Sequence, residues 1–277
     1  MDFIELIKAI FIGIIQGITE WLPVSSTGHM ILFDEFVTLK ASKEFKDFFL
    51  VAIQLGSILA VCVLFFHKLN PFSGKKTAEE KKATWRLWGR VVVGCLPAAV
   101  IGLLLDDWFN ANFYNFWVVA AALILYGVAF VLIERYRSRE LRIKDVGEIS
   151  LRDAFLIGCF QVLSLIPGTS RSGSTILGAS LLGVGRTAAA EFSFFMALPV
   201  MAGASLLKGA KFVASGVGMS ATEIGILAVG LVVAFLVSLV AIRFLMDFVR
   251  RHSFSVFGWY RIALGAIVLL YGAIALL

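Results

Sequence analysis

Long apolar runs separated by short polar stretches dominate the chain. Six of them lack strand-like alternation, at roughly 48–66, 91–105, 116–133, 191–208, 222–246 and 257–277. A hydrocarbon core of about 30 Å takes roughly 20 helical residues, so some runs are short, yet all predict transmembrane helices. Barrel strands would alternate polar and apolar residues, and lipid leaves open backbone nothing to bond. Two further segments, 8–32 and 153–182, are apolar but broken by Pro, Gly, Ser and charge. They predict re-entrant helical hairpins, which are tolerated at membrane depth only inside protein or along a cavity.

Composition strengthens this reading. Hydrophobic residues make up 60% of 277 and charged residues 16%, far from the balance of a soluble domain. The net charge of +6 does not call for nucleic acid. Lys and Arg cluster at 68–90, 135–152 and 243–251, which the positive-inside rule reads as cytoplasmic loops. Lys40, Lys43, Lys46, Lys208 and Lys211 fall on the other side, so the bias is imperfect. Asp2 and Glu5 precede the first apolar run, and no cleavage pattern follows it, so a signal peptide is not expected. Cys62, Cys95 and Cys159 have no metal-ligand spacing and are expected to be buried free thiols.

The chain also repeats itself. A shift of 145 residues lays Gly13 on Gly158, Gln16 on Gln161, Ser25 on Ser170 and Gly28 on Gly173. The same shift lays Leu125-Tyr126-Gly127 on Leu270-Tyr271-Gly272. One membrane domain, 1–277, is therefore expected to hold two repeats at about 1–137 and 146–277. Each has one hairpin and three spans. Three is odd, so the repeats are expected to be inverted, with both termini outside and the hairpins meeting near mid-membrane. The fold class expected is an all-α polytopic membrane protein.

The hairpins carry the chemistry. Gln16 and Glu20, four apart, share a helical face. Pro23 stops that helix, and Ser25 can cap a second one with Ser26, Thr27 and His29 in its first turn. The second hairpin offers "PGTSRSGST", Pro167 to Thr175, in which Ser170 can cap and Arg171 brings a fork matched to phosphate. Free N–H groups at helix N-termini suit phosphate. A charge at the centre of a membrane helix costs about 2.5–3.5 kcal/mol, so Glu20 and Arg171 are expected to face each other and a polar ligand. Against this stand blander readings: Ser and Thr back-bond to carbonyls in membrane helices, and Glu20–Arg171 alone would serve as a structural ion pair. Every ionisable residue of the hairpins' polar motifs, however, lies within a few positions of a helix break. Gln54, Asp106, Asp107 and Arg261 show no such clustering, and loop-edge or packing roles are expected for them.

"QGITEWLPVSSTGH" together with "PGTSRSGST" closely resembles the bacterial undecaprenyl-diphosphate phosphatase family of the bacitracin-resistance type. The likeness covers essentially the whole chain, including "AIQLGSILAV" at 52–61 and "EFSF" at 191–194. The family's Glu-or-Gln, three residues, Glu motif falls on Gln16 and Glu20, its essential serine and histidine on Ser26 and His29, and its Pro-Gly-x-Ser-Arg-Ser-x-x-Thr on Pro167 to Thr175. The resemblance implies an inner-membrane enzyme, its site open to the periplasm, that cleaves the terminal phosphate from undecaprenyl diphosphate. It implies a cell-wall lipid carrier as product and a divalent cation; bacitracin is expected to compete for the lipid, and a second copy of the chain is a candidate partner. Two carboxylates would make an obvious cation site; Gln16 with Glu20 is weaker, so Mg²⁺ or Ca²⁺ is expected to be held largely by the diphosphate.

Catalysis is expected from Ser26, His29, Glu20 and Arg171. Phosphate binding is expected from Ser25, Thr27, Gly168, Ser170, Arg171, Ser172 and Thr175. Either Ser26 attacks with His29 as base, or His29 attacks and Ser26 binds. Glu20 would orient His29 or bind the cation. A lipid-phosphate flippase using the same anion site is the alternative, since inverted repeats with broken helices also build transporters.

Overall fold

The computed structural model describes residues 3–34, 37–136 and 141–275. The first half contains α1 (Phe3–Thr19), α2 (Ser26–Asp34), α3 (Lys43–Leu64), the short α4 (Phe66–Leu69), α5 (Ala78–Phe113) and α6 (Phe116–Tyr136). The second contains α7 (Leu151–Val162), α8 (Arg171–Leu181), α9 (Arg186–Ala214), α10 (Ala221–Arg251) and α11 (Ser255–Ala275). Among the described residues the only β pairing is an isolated bridge between Ile143 and Val184. Six helices, α3, α5, α6, α9, α10 and α11, are long and apolar enough to cross a bilayer. The protein is an all-α polytopic membrane protein.

The interrupted segments fold as two pairs of short helices, α1–α2 and α7–α8, each joined through a break. Two spans run further than the apolar pattern suggests. Helix α5 starts at Ala78, where Thr77 and Glu80 form a reciprocal capping box, and the Ala, Glu and Lys residues of its first turns are good helix formers. Pro97 in α5 and Pro199 in α9 interrupt neither helix. Neighbouring helices re-satisfy the groups a proline frees at membrane depth. Cys95 Sγ donates to Met196 O at 3.4 Å and ties these two helices together.

Small residues set the closest contacts, as expected where lipid provides no hydrophobic drive between helices. A Cβ on Gly13 of α1 would lie 3.0 Å from Gly230 O of α10, and one on Gly158 of α7 would lie 2.2 Å from Gly94 O of α5. The first helix of each half thus packs on the second bilayer-crossing helix of the other. Helices α6 and α11 meet at Gly127 and Gly258, each close to the other's carbonyl. The main core gathers Trp21, Phe192, Phe194 and Phe195 with α5, α8 and α10 residues, while Leu103, Leu104, Leu236 and Val240 point outward. In a bilayer that outward apolar surface is solvated by lipid.

Ion pairs gather on the basic loops: Lys68–Glu191 at 2.7 Å, Arg142–Asp153 at 2.6 Å, and Arg186 with Glu134. Burial pushes the Asp153 carboxyl up, but hydrogen bonds from Arg142 and Ser150 outweigh it and hold it below the usual carboxylate range. The cysteines depart from expectation in one place. Cys95 is buried and Cys62 half-buried, but Cys159 is exposed. The buried face of α7 runs through Ala154, Ile157, Gly158 and Gln161, which turns Cys159 outward.

Candidate functional site

The first break begins where α1 ends at Thr19. Gln16 and Glu20 are both buried on one face, and Gln16 Nε2 donates to Glu20 Oε2 at 2.9 Å. The chain continues through Pro23 to Ser25, whose φ is 70°. Ser25 Oγ then accepts from Gly28 N at 3.4 Å and caps α2.

The second break repeats that construction. Gly168 has φ of 96°, and glycine is needed there both for that left-handed backbone and because a Cβ would sit 2.6 Å from Val119 O. Ser170 has φ of 70°, and its Oγ accepts from Gly173 N at 3.2 Å. Ser25 and Ser170 are the only non-glycine residues with positive φ among those described. Each costs about 1–3 kcal/mol, strain that persists where the surroundings fix a functional geometry.

The two breaks meet. Arg171 Nη2 donates to Glu20 Oε1 at 3.2 Å, and Nη1 donates to Ser193 O at 2.7 Å. Its guanidinium lies 5.8 Å from the Trp21 ring, and its buried Nε has no partner. Ser172 Oγ donates to Leu22 O at 3.3 Å and lies 3.1 Å from Ser170 Oγ. Between the breaks is a cavity of about 200 Å³ lined by Glu20, Ser26, Gln54, Gly168, Ser170 and Arg171, among others. Gln54 lies at the middle of α3, so the cavity sits deep within the helices.

The remaining predicted residues lie elsewhere. Thr175 is fully buried; its Oγ1 donates to Ser193 Oγ at 2.7 Å and lies 2.9 Å from Arg171 O, so it braces both the helix turn and Ser193, whose carbonyl holds Arg171. His29 does not line the cavity. Its Nδ1 lies 2.8 Å from Ser25 O, and its Nε2 lies 2.6 Å from Tyr260 Oη. A carbonyl only accepts, so Nδ1 carries the proton and the Nε2 lone pair accepts from Tyr260. Glu20 therefore orients Arg171 rather than His29, its two oxygens being held by Gln16 and Arg171. The Thr27 side chain and the side chains of Asp106 and Asp107 lie outside the described residues.

Two residues expected at loop edges or in packing belong to the site. Gln54 lines the cavity, and Arg261 is fully buried against both breaks. An arginine inside an apolar span was the available signal, because such residues are rarely idle. The span's starting point at 257 made Arg261 look terminal.

The donor set does not suit a protein-held divalent cation. Among the described residues no three of His, Cys, Asp or Glu converge. Both Glu20 oxygens already accept from the protein, and Gln16 turns its N–H rather than its oxygen toward Glu20. Oxygen-hungry cations would find one engaged carboxylate.

A polar cavity bearing a guanidinium, set between broken helices, defines an integral membrane protein with a site whose chemistry suits a charged ligand. The chain belongs to the family described as bacitracin resistance protein BacA, which it matches over residues 9–267. It is 56% identical over 273 residues to a protein of Enterococcus faecalis named undecaprenyl-diphosphatase, covering 98% of this chain and 99% of that one. Proteins of the same name from Streptococcus thermophilus and Streptococcus mutans are 54% and 53% identical, covering 99% and 100% of this chain and 96% and 99% of theirs.

Proposed function

We propose that this protein is a membrane phosphatase that hydrolyses undecaprenyl diphosphate to undecaprenyl phosphate and inorganic phosphate. It recycles the lipid carrier of cell-wall precursors, and bacitracin competes with it for the same lipid. One observation carries the reading: Ser26 and Arg171 line one cavity beside the capped N-terminus of α8. Family membership and the relatives' names support it.

In this reading Arg171, Ser170 and the free N–H groups of the two short helices hold the phosphates, and stabilise charge that develops in the transition state. Ser26 Oγ attacks the terminal phosphorus in line with the bridging oxygen. His29 is the acid–base group, its Nε2 lone pair held ready by Tyr260 until it turns to Ser26. Water then releases phosphate from the serine. A divalent cation, Mg²⁺ or Ca²⁺, arrives with the diphosphate, and no step here depends on it. The two halves form an inverted repeat with hairpins near mid-membrane, supported by the matched serine breaks and the matched α1–α10 and α7–α5 packing. The protein resides in the bacterial cytoplasmic membrane, its cavity opens to the periplasm, and it functions as a homodimer.

The flippase alternative is not favoured, since the relatives are named as diphosphatases. The test is phosphate release by the purified protein from a long-chain prenyl diphosphate, with and without a chelator. Turnover well above background is expected, and it should vanish in Ser26→Ala. A protein that moves the lipid between leaflets of proteoliposomes without releasing phosphate would sink the reading.

A further inference from the structure

Arg261 of α11 is wholly buried yet has no carboxylate partner in the described structure. Its Nη1 donates to Pro23 O at 3.2 Å in the first break. Its Nη2 donates to Gly168 O at 2.8 Å and Thr169 O at 3.0 Å in the second. One planar fork therefore ties together carbonyls that precede both capping serines. These carbonyls point away from any helix ladder, at a depth where water does not replace a lost partner.

Two more observations give the guanidinium a role beyond packing. First, it lies 5.2 Å from the Tyr126 ring with its buried Nε unpartnered, so dipoles and a ring face are its recorded compensation. The one carboxylate at the breaks, Glu20, is already held by Arg171 and Gln16. Two guanidiniums against one carboxylate leave the site with an uncompensated positive charge that a bound anion neutralises. Second, Gly173 makes room for it: a Cβ there would lie 3.0 Å from Nη1. At the repeat-related Gly28 the nearest atom to such a Cβ is Leu123 Cδ1, at 2.9 Å. The shift of 145 residues places Phe116, not an arginine, opposite Arg261. One clamp serves both breaks.

We propose that Arg261 is a positioning residue for phosphate chemistry. It holds the two breaks in register, so that Ser26 from one and Ser170–Arg171 from the other address the same phosphate. It also supplies the charge the anion balances. The fork is what matters: a lysine ammonium cannot bridge both breaks with the same geometry. The kinetic arm rests on the phosphatase reading, but the binding arm does not.

The experiment compares the parent protein with Arg261→Lys and Arg261→Met, each checked for monodispersity and melting temperature. Pyrophosphate is the binding probe, read as a thermal shift, and phosphate release gives kcat and KM. A folded Arg261→Lys should lose about 100-fold in kcat, the scale of a small misplacement of reacting groups. It should also bind pyrophosphate at least tenfold more weakly, and Arg261→Met should lose the shift altogether. If neither variant folds, Gly173→Ala decides. Its Cβ would press closest on Nη1, at 3.0 Å, with Ser170 Cβ next at 3.2 Å, so about a tenfold fall in kcat and a weaker pyrophosphate shift at unchanged melting temperature would support the clamp. A folded Arg261→Lys or Arg261→Met, or in their absence Gly173→Ala, that matches the parent in pyrophosphate affinity and turnover overturns it. A parent that binds pyrophosphate but releases no phosphate overturns the phosphatase reading instead, and the binding arm still judges Arg261.

Discussion

The two breaks share a backbone and divide the chemistry. Ser25 and Ser170, 145 residues apart, have the same φ of 70° and the same capping bond to the third residue on. The next residue is Ser26 in the first break and Arg171 in the second. One backbone position thus presents a hydroxyl to the cavity in one half and a guanidinium in the other. Four residues after each matched glutamine, the first half has Glu20 and the second Leu165. In the proposed reading the difference teaches that two strained turns build the anion cradle, while nucleophile and counter-charge are supplied only once each.

The strongest way to break the comparison is to truncate the two matched positions. Ser26→Ala should lower phosphate release by about six orders of magnitude, to background, as removal of a nucleophile does, and leave the melting temperature unchanged. Arg171→Ala should cost about 100- to 1000-fold in turnover. It should also cost about 3–5 kcal/mol of stability, because Glu20 is left buried and unpaired. Removing Glu20's charge as well, in Glu20→Gln with Arg171→Ala, should restore the stability but not the turnover. If Ser26→Ala and Arg171→Ala destabilise alike, the division of labour is wrong.

A smaller effect probes the base. His29→Ala should cost about 100-fold or more, within the range for a general acid–base group. Tyr260→Phe removes one hydrogen bond to Nε2 and should cost up to about tenfold in kcat with KM unchanged. Equal losses for the two variants would mean that Tyr260 itself touches the substrate.

Much of this was legible in the chain. The breaks, the two capping serines and the Gln16–Glu20 pairing follow from residue spacing, and the Glu20–Arg171 pair follows from the cost of isolated charge at membrane depth. The lengths of α5 and α9 did not follow, because the charged and polar turns at their ends read as boundaries in one dimension and are continuous helix in three. The role of Arg261 was hidden for a related reason. Its partners are backbone carbonyls at Pro23, Gly168 and Thr169, and carbonyls leave no trace in side-chain patterns. The facing of His29 toward Tyr260 likewise depends on α11, remote in sequence from both motifs.

The finest test uses the glutamines that mark the repeat. Gln16 and Gln161 are equally buried and occupy matched positions near the ends of α1 and α7. Gln16 donates to the Glu20 carboxylate, but both polar atoms of the Gln161 amide lack a partner. A hydrogen bond to a charged group contributes about 1.5–3 kcal/mol, whereas removing a buried, unsatisfied polar group is neutral or stabilising. Gln16→Leu should therefore melt several degrees lower, at about 2–4 °C per kcal/mol, and lose a few-fold in turnover as Glu20 loosens its hold on Arg171. Gln161→Leu should melt at or slightly above the parent temperature and stay within about twofold of its activity, because one unmet amide is replaced by a side chain of similar size. Equal damage from both substitutions would show that Gln161 has a ligand of its own, and that the second break is not merely the simpler copy of the first.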